Sequence, residues 1–186
     1  MISGPSGVGK STIVRQVLRR TGVAFSVSAT TRAPRPDEVD GRDYRFVDRA
    51  TFDRMVRDGE LLEWAEVFGH CYGTPAGPVR QAIEDGRTIL LDIDVQGALQ
   101  VHRQMPDATF VLIAPPGEGA MIRLSERLTI RGSEDKAQVE RRLAAARNEL
   151  EKARRSGIYS HCVVNDNLET AIEAVTAIIQ EESPGK

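Results

Sequence analysis

Apolar residues recur along this chain either at helical spacing or in short continuous runs, with glycine and proline between the segments. A spacing of three to four at Ile13, Val14 and Val17 predicts a helix that begins near residue 11. Two apolar segments, residues 88–94, which end in acids, and residues 109–113, predict parallel strands that are covered on both faces. Strands that alternate with helices indicate an α/β fold in which helices flank a central parallel sheet.

The remaining elements follow from the same two patterns. Strands are predicted over residues 24–28, 44–47, 61–67 and 162–165, and helices over residues 49–58, 76–85, 95–104, 120–129 and 168–179, with a further charged helix whose inward stripe is Val139, Leu143, Ala146 and Leu150. Residues 69–75 are predicted to form turns because they are rich in glycine. Only three residues precede the first glycine-rich loop, so we expect a shortened first strand. The strands between residues 28 and 88 indicate a small substrate-facing subdomain.

The composition of the chain excludes several classes of function but assigns none. A length of 186 residues suits one domain, and 28% charged residues with a net charge of −2 predict neither nucleic-acid nor membrane binding. Cys71 and Cys162 are the only cysteines, and no secretory signal or membrane-spanning apolar run is seen. We therefore expect a cytoplasmic protein with reduced thiols.

Residues 4–11 form a complete G-x-x-x-x-G-K-[ST] phosphate-binding loop. Its glycines let successive backbone N–H groups converge on a phosphate, while Lys10 can reach the β- and γ-phosphates and the Ser11 hydroxyl can bind Mg²⁺ directly. The predicted helix that follows would present its N-terminus to the same anion. A chance match in a glycine-rich turn is the alternative, and the position of the loop between a strand and a helix disfavours it.

Three further places carry candidate chemistry. Arg32 and Arg35 lie in an extended loop and could clamp one phosphate, although such arginines are more often plain surface residues. Asp92 ends a buried apolar run and is a candidate outer-shell partner of Mg²⁺. Arg131 stands beside a Gly-Ser break and could close over a transferring phosphoryl group, the alternative being an ordinary helix of mixed charge.

Seven ordered segments resemble the guanylate kinase family, and the resemblance covers nearly the whole chain. They are residues 2–11, 26–35, 40–44, 63–66, 72–74, 92–97 and 164–166. The resemblance implies a P-loop kinase fold with a small mixed GMP-binding subdomain over about residues 32–87 and a helical lid over about 126–137, the core being about 1–31, 88–125 and 138–186. It also implies transfer of the γ-phosphoryl group of ATP to GMP, and to dGMP as well, with Mg²⁺ as cofactor.

The resemblance also implies a role for individual residues. ATP would be bound by Gly4, Pro5, Ser6, Gly7, Val8, Gly9, Lys10 and Ser11, with Asn165 near the adenine. The GMP phosphate would be held by Arg32, Arg35, Tyr44 and Tyr72, and the guanine by Ser28, Glu63, Thr74 and Asp94. Lys10, Arg131 and Arg142 would act on the transferring phosphoryl group. Glu63 can accept hydrogen bonds from guanine N1–H and N2–H₂, an edge that adenine lacks, so AMP would leave a buried carboxylate unpaired.

Two other interpretations remain. A protein-binding module of the same fold is disfavoured by the intact phosphate loop, and a kinase with a different phosphorylated acceptor is disfavoured by Glu63, Thr74 and Asp94. The segment from Pro116 to Arg131 is about three residues longer than is usual in the family, so Arg127 could exchange roles with Arg131. We expect a monomer or homodimer.

Overall fold

The computed structural model describes residues 1–67, 69–117 and 136–182, without the side chains of residues 136–143. The strands in these ranges are β1 (Ile2–Ser3), β2 (Ala24–Phe25), β3 (Ala29–Thr30), β4 (Arg45–Phe46), β5 (Leu61–Val67), β6 (His70–Pro75), β7 (Ile89–Leu90), β8 (Val111–Ala114) and β9 (His161–Val164). The helices are α1 (Lys10–Thr21), α2 (Arg49–Arg57), α3 (Ala76–Glu84), α4 (Val95–Gln104), α5 (Lys136–Ser156) and α6 (Leu168–Glu181).

The core is a parallel sheet in the order β2-β7-β1-β8-β9. Parallel ladders join β2 to β7, β1 to β8 and β8 to β9. The two parts of the sheet meet where the Ile2 amide donates to the Leu91 carbonyl at 2.9 Å and the Ile93 amide donates to the Ile2 carbonyl at 3.2 Å. Because all five strands run the same way, their carboxyl ends meet at one edge, which is the usual ligand-binding edge of such sheets.

Helices cover both faces of this sheet, as the two apolar segments predict. Leu90 packs with apolar residues of α1 and α6, whereas Leu91, the next residue, packs with α3 and α4. Successive side chains of a strand point to opposite faces, so Leu90 and Leu91 pack against the helices on the two different faces of the sheet. On α5, Ala146 and Leu150 are buried as predicted. Val139 and Leu143 lie outside the described side chains.

A second sheet has the order β4-β3-β6-β5 and is mixed, because β3 is parallel to β4 while β6 is antiparallel to both β3 and β5. Helix α2 packs on it through Phe52 and Met55, which are 0% and 1% exposed. The sheet is built from the part of the chain between β2 and β7. It therefore begins at the carboxyl edge of the core sheet, where the chain leaves β2.

Two of the predicted elements are wrong. Residues 69–75 form no run of turns, because β6 pairs along its whole length with β5; a Cβ on Gly73 would lie 3.0 Å from the Glu63 carbonyl, so glycine allows this pairing. Residues 24–28 are not one strand either. The Ser26 amide still donates to Leu90 of the core sheet at 3.0 Å, whereas the Ser28 carbonyl accepts from Arg45 at 2.9 Å. The chain changes sheets between them.

Helix bounds agree with the predictions to within one or two residues for α1 to α4. The predicted helix over residues 120–129 lies outside the described residues. At the start of α6, Leu168 is 43% exposed, although the apolar stripe predicts it to be inward, while Ala171, Ile172 and Val175 of that stripe are buried. Among the described helices, none is both long and apolar enough to cross a membrane.

Candidate active site

The phosphate-binding loop connects β1 to α1 at the carboxyl edge of the core sheet, and its glycines are required by its geometry. Gly7 and Gly9 have φ angles of 81° and 92°, in the left-handed region that L side chains rarely adopt. A Cβ on Gly4 would lie 2.5 Å from the Ile113 carbonyl oxygen of the neighbouring strand. Val8 is 5% exposed and anchors the loop in the core. Ser6 and Gly7, between these anchors, are exposed.

Lys10, at the first position of α1, reaches across to the end of β7. Its ammonium forms an ion pair with Asp92 and donates to the Ile93 carbonyl at 3.1 Å. Both side chains of the pair are 18% exposed. The structure therefore brings the loop lysine and the predicted outer-shell carboxylate into direct contact, and the exposed Ser11 follows at the next position of the helix.

Asn165 follows β9 and supports the loop from the other side. Its amide Nδ2 donates to the Val8 carbonyl at 2.7 Å, and its backbone amide donates to Ala114 at 2.8 Å. A Cβ on Gly9 would lie 2.7 Å from Nδ2. Asn165 thus links the end of the sheet to the phosphate loop, a contact that sequence reasoning did not anticipate because its two partners lie about 157 residues apart.

Arg32 lies in a half-buried group of aromatic and acidic residues beside the second sheet. Its guanidinium donates to Glu38 Oε1 at 2.8 Å and lies 5.4 Å from the centre of the Tyr44 ring. Tyr44 in turn meets Tyr72 edge to face, with ring centres 6.1 Å apart. Three of the four residues predicted to hold the acceptor phosphate are therefore together, and the fourth, Arg35, has an exposed side chain nearby in sequence.

Glu38 is a residue of this group that sequence reasoning missed. Besides Arg32, it accepts the backbone amide of Arg35 at 2.8 Å, so one carboxylate bridges both arginine positions. The hydrogen bond from Arg32 holds the pKa of Glu38 below its usual value, and the same bond raises the pKa of Arg32. Burial raises the pKa of Tyr44 to about 12, so its phenol remains a hydrogen-bond donor at neutral pH.

The predicted base-recognition residues lie deeper. Glu63 is 6% exposed, and its Oε1 accepts from the hydroxyl of Thr74, which is directly opposite on β6, at 2.6 Å. Asp94 caps α4 by accepting the Gly97 amide at 2.6 Å. Burial raises the pKa of Glu63 to about 7, opposed by the Thr74 hydrogen bond and reinforced by Asp94. Ser28 lies half-buried where the chain passes from the core sheet to the second sheet.

The two halves of the site are within electrostatic reach of each other. Burial is the larger cause of the raised pKa of Tyr44, and Asp92, next to the phosphate loop, raises this pKa further. Lys10 lowers the pKa of Glu63, in opposition to burial. The electrostatic influence of Asp92 on Tyr44 and of Lys10 on Glu63 indicates that the end of the phosphate loop lies on the same side of the molecule as both parts of the acceptor site.

Glu149 on α5 is a second residue that sequence reasoning missed. The pattern of charges on this helix suggests a solvated face, but Glu149 is half-buried and its Oε2 is enclosed. Burial raises the pKa of Glu149, Asp94 raises it further, and the backbone amide of Ser6 opposes them by hydrogen bonding. Its position next to the inward Leu150 is the only signal in the sequence.

The three arginines predicted to act from the lid side lie where the structure describes no side chain. Arg131 and Arg127 lie outside the described residues, and Arg142 lies in α5 at a position whose side chain is not described.

A phosphate loop at the carboxyl edge of a parallel sheet, combined with a smaller sheet that carries an arginine and tyrosine cluster and a buried acid, is typical of a P-loop kinase of the nucleoside monophosphate class. The family model described as guanylate kinase matches residues 1–182. The chain belongs to the guanylate kinase family.

Individual relatives agree with this assignment. Guanylate kinase of Gloeobacter violaceus is 51% identical over 185 residues, which is 99% of this chain and 87% of the relative. Guanylate kinase of Bacillus subtilis is 43% identical over 98% of this chain and 87% of its own length. The crystal structure of guanylate kinase from Anaplasma phagocytophilum superposes with a TM-score of 0.77 at 32% identity, covering 100% of this chain and 85% of that one.

These matches confirm four of the predictions: the family, the P-loop kinase fold, an enzyme of the nucleoside monophosphate kinase class, and the reaction of the family, which is ATP-dependent phosphorylation of GMP. The family also implies nucleotide substrates. The roles assigned to single residues remain predictions.

Proposed function

We propose that this chain transfers the γ-phosphoryl group of ATP to GMP and dGMP with the residues gathered at the carboxyl edge of the core sheet. One observation carries the residue assignment: an intact phosphate loop, whose Lys10 pairs with Asp92, lies within electrostatic reach of a buried Glu63–Thr74 pair. The first binds a triphosphate and the second suits a guanine edge, so both substrates could meet there.

On the ATP side, residues 4–11 would hold the phosphates. Lys10 forms an ion pair with Asp92, and in the proposed complex its ammonium would also reach the β- and γ-phosphates of ATP. The exposed Ser11 hydroxyl and the Asp92 carboxylate are hard oxygen donors of the kind that Mg²⁺ prefers, so the residues present fit that ion. When bound, Mg²⁺ neutralises charge on the phosphates. Asn165 would keep the loop in shape beneath the nucleotide.

On the acceptor side, Arg32, Arg35, Tyr44 and Tyr72 would hold the phosphate, and Ser28, Glu63, Thr74 and Asp94 would bind the base. Both GMP and dGMP carry these groups. Glu63 must be ionised to accept two N–H groups, so with a pKa of about 7 its affinity for GMP should rise from pH 6 to pH 8. AMP would leave that carboxylate without the two N–H donors that guanine supplies.

Transfer itself needs no protein base, because positioning and charge neutralisation carry phosphoryl transfer. We assign Arg142 and either Arg131 or Arg127 to the transferring group. We also propose that residues 32–87 act as the GMP-binding subdomain and residues 126–137 as the lid over the remaining core. The enzyme would work in the cytoplasm on free nucleotides, as a monomer or homodimer.

The test is an ADP-release assay with ATP and Mg²⁺ that compares GMP, AMP, CMP and UMP as acceptors. Fast turnover with GMP alone, abolished by excess EDTA and restored by Mg²⁺, is the expected result. Turnover with several acceptors would refute the base assignment. Silence with every acceptor, from a protein with a cooperative thermal transition, would favour the binding-module interpretation.

A further inference from the structure

Helix α4 is hydrogen-bonded to strand β5 on both sides of Glu63. The Gln100 amide donates to the Trp64 carbonyl at 2.7 Å and its Oε1 accepts the Trp64 amide at 3.3 Å. One turn further on, Gln104 donates to the Leu62 carbonyl at 2.7 Å. Because these bonds reach the backbone of the residues immediately before and after Glu63, the helix cannot retreat from this residue without breaking them.

Gly97 is the residue of α4 that lies against the Glu63 carboxylate. A Cβ at this position would overlap Glu63 Oε2 and lie only 2.9 Å from its Cδ. Contacts below 3.0 Å are essentially never made by a Cβ, so a neighbour would have to move. Glu63 has little freedom to do so, because it is 6% exposed and Thr74 holds its other oxygen.

Gly97 also contacts the second acid of the pocket. Its amide donates to Asp94 Oδ1 at 2.6 Å, and a Cβ would lie 3.4 Å from the same oxygen. The missing side chain thus leaves space for one carboxylate, while the backbone N–H positions the other. No strain in the backbone requires glycine here, because Gly97 lies within a helix and is not among the glycines of positive φ.

We infer that Gly97 is a positioning residue for guanine selection: the absence of its Cβ sets where the Glu63 carboxylate lies, and therefore how GMP is chosen over other nucleotides. This inference rests on the proposed function, since it concerns the same base pocket. Gly97 would touch no substrate itself. It acts through Glu63, and any larger residue would displace that carboxylate from the position in which it can accept two N–H groups.

The first experiment is a double-mutant cycle on thermal stability. Gly97→Ala should lower Tm by about 5 °C or more in the wild-type background, because overpacking a rigid site is costly. In the Glu63→Ala background the overlap is gone, and Gly97→Ala should leave Tm unchanged or raise it by up to about 4 °C, because alanine favours a helix more than glycine does. Gly77→Ala is the matched control, since Gly77 lies in the first turn of α3 with open space around its Cβ. Equal Tm changes in both backgrounds would overturn the inference.

The second experiment measures selection. In Gly97→Ala the kcat/KM for GMP should fall about tenfold to a hundredfold, the loss of charged hydrogen bonds being worth that much. The KM for ATP should stay within about twofold, and the preference for GMP over IMP, which lacks the 2-amino group, should shrink. Gly77→Ala should match the wild type. An unchanged GMP/IMP preference in a folded Gly97→Ala protein would refute the positioning role.

The two experiments separate this inference from the proposed function. If the wild type turns over GMP and the cycle shows no coupling, only the role of Gly97 fails. If the wild type turns over no nucleotide, the proposed function fails and the selection role fails with it, while coupling in the cycle would then establish a packing role alone.

Discussion

Replacing Glu63 with glutamine removes a buried ionisable group and keeps its shape. Glutamine has the same number of heavy atoms as glutamate, and its Oε1 can still accept the Thr74 hydroxyl that donates at 2.6 Å in the wild type. The substitution therefore isolates the cost of ionising this site. We predict that it makes the protein more stable than the wild type at pH 8 and not at pH 4.5.

The sign and size of this change in stability follow from the raised pKa of Glu63. Glu63 titrates at about 7 in the folded protein, compared with an ordinary value of 4.5. Between these pH values the folded protein holds a proton that the unfolded chain has lost, so its free energy of unfolding falls as pH rises. The stabilisation is fully present below pH 4.5 and is lost by the time pH passes 7. At about 1.4 kcal/mol per pKa unit, the loss amounts to about 3 kcal/mol.

Urea unfolding followed by circular dichroism at several pH values between 4.5 and 8.5 measures this effect. The difference in free energy of unfolding between Glu63→Gln and wild type should grow by about 3 kcal/mol across that range. Glu60→Gln, at an exposed position just before β5, is the control and should shift stability by about 0.5 kcal/mol or less at every pH. A difference that stays constant with pH would show that Glu63 ionises normally in the folded protein and would refute the reasoning.

Three further predictions concern the other parts of the site. Lys10→Ala should lower kcat by about a thousandfold or more, since a positive charge is lost at the phosphates. A thermal melt should show that the variant is folded, and near-normal turnover would contradict the assignment of Lys10 to the phosphates. Glu38→Gln should lower the free energy of unfolding in urea by about 1–2 kcal/mol and raise the KM for GMP about tenfold, because Arg32 loses the carboxylate that orients it. An unchanged KM for GMP would exclude this orienting role of Glu38. Asn165→Ala removes the hydrogen bond to Val8 and should raise the KM for ATP about fivefold with little change in the KM for GMP. Equal changes in both KM values would argue against a local effect on the phosphate loop.

Elements with a strong local pattern were predictable from the sequence. The loop over residues 4–11 and helix α1 depend on glycine conformations and on apolar spacing within one stretch of chain, and both are found where the pattern predicts them. The bounds of β5 and α4 match the predictions. These features need no partner elsewhere in the chain to be recognised.

Strand pairing was harder to predict. The glycine-rich residues 69–75 favour turns by composition, yet they pair with β5, because a partner strand outweighs local preference. Residues 24–30 change from one sheet to the other between Ser26 and Ser28, since the partners of these two residues, Leu90 and Arg45, lie in different sheets.

The candidate site divides in the same way. Motifs and the family resemblance identify Lys10, Arg32 and Glu63 from the sequence, because their chemistry is recognisable without coordinates. The bridging carboxylate of Glu38 and the missing Cβ of Gly97 depend on distances between side chains that no local pattern encodes. The pKa of Glu63 likewise depends on burial, which exists only after the chain has packed. Residue type determines what chemistry is available, and tertiary packing decides which groups are close and dry enough to use it.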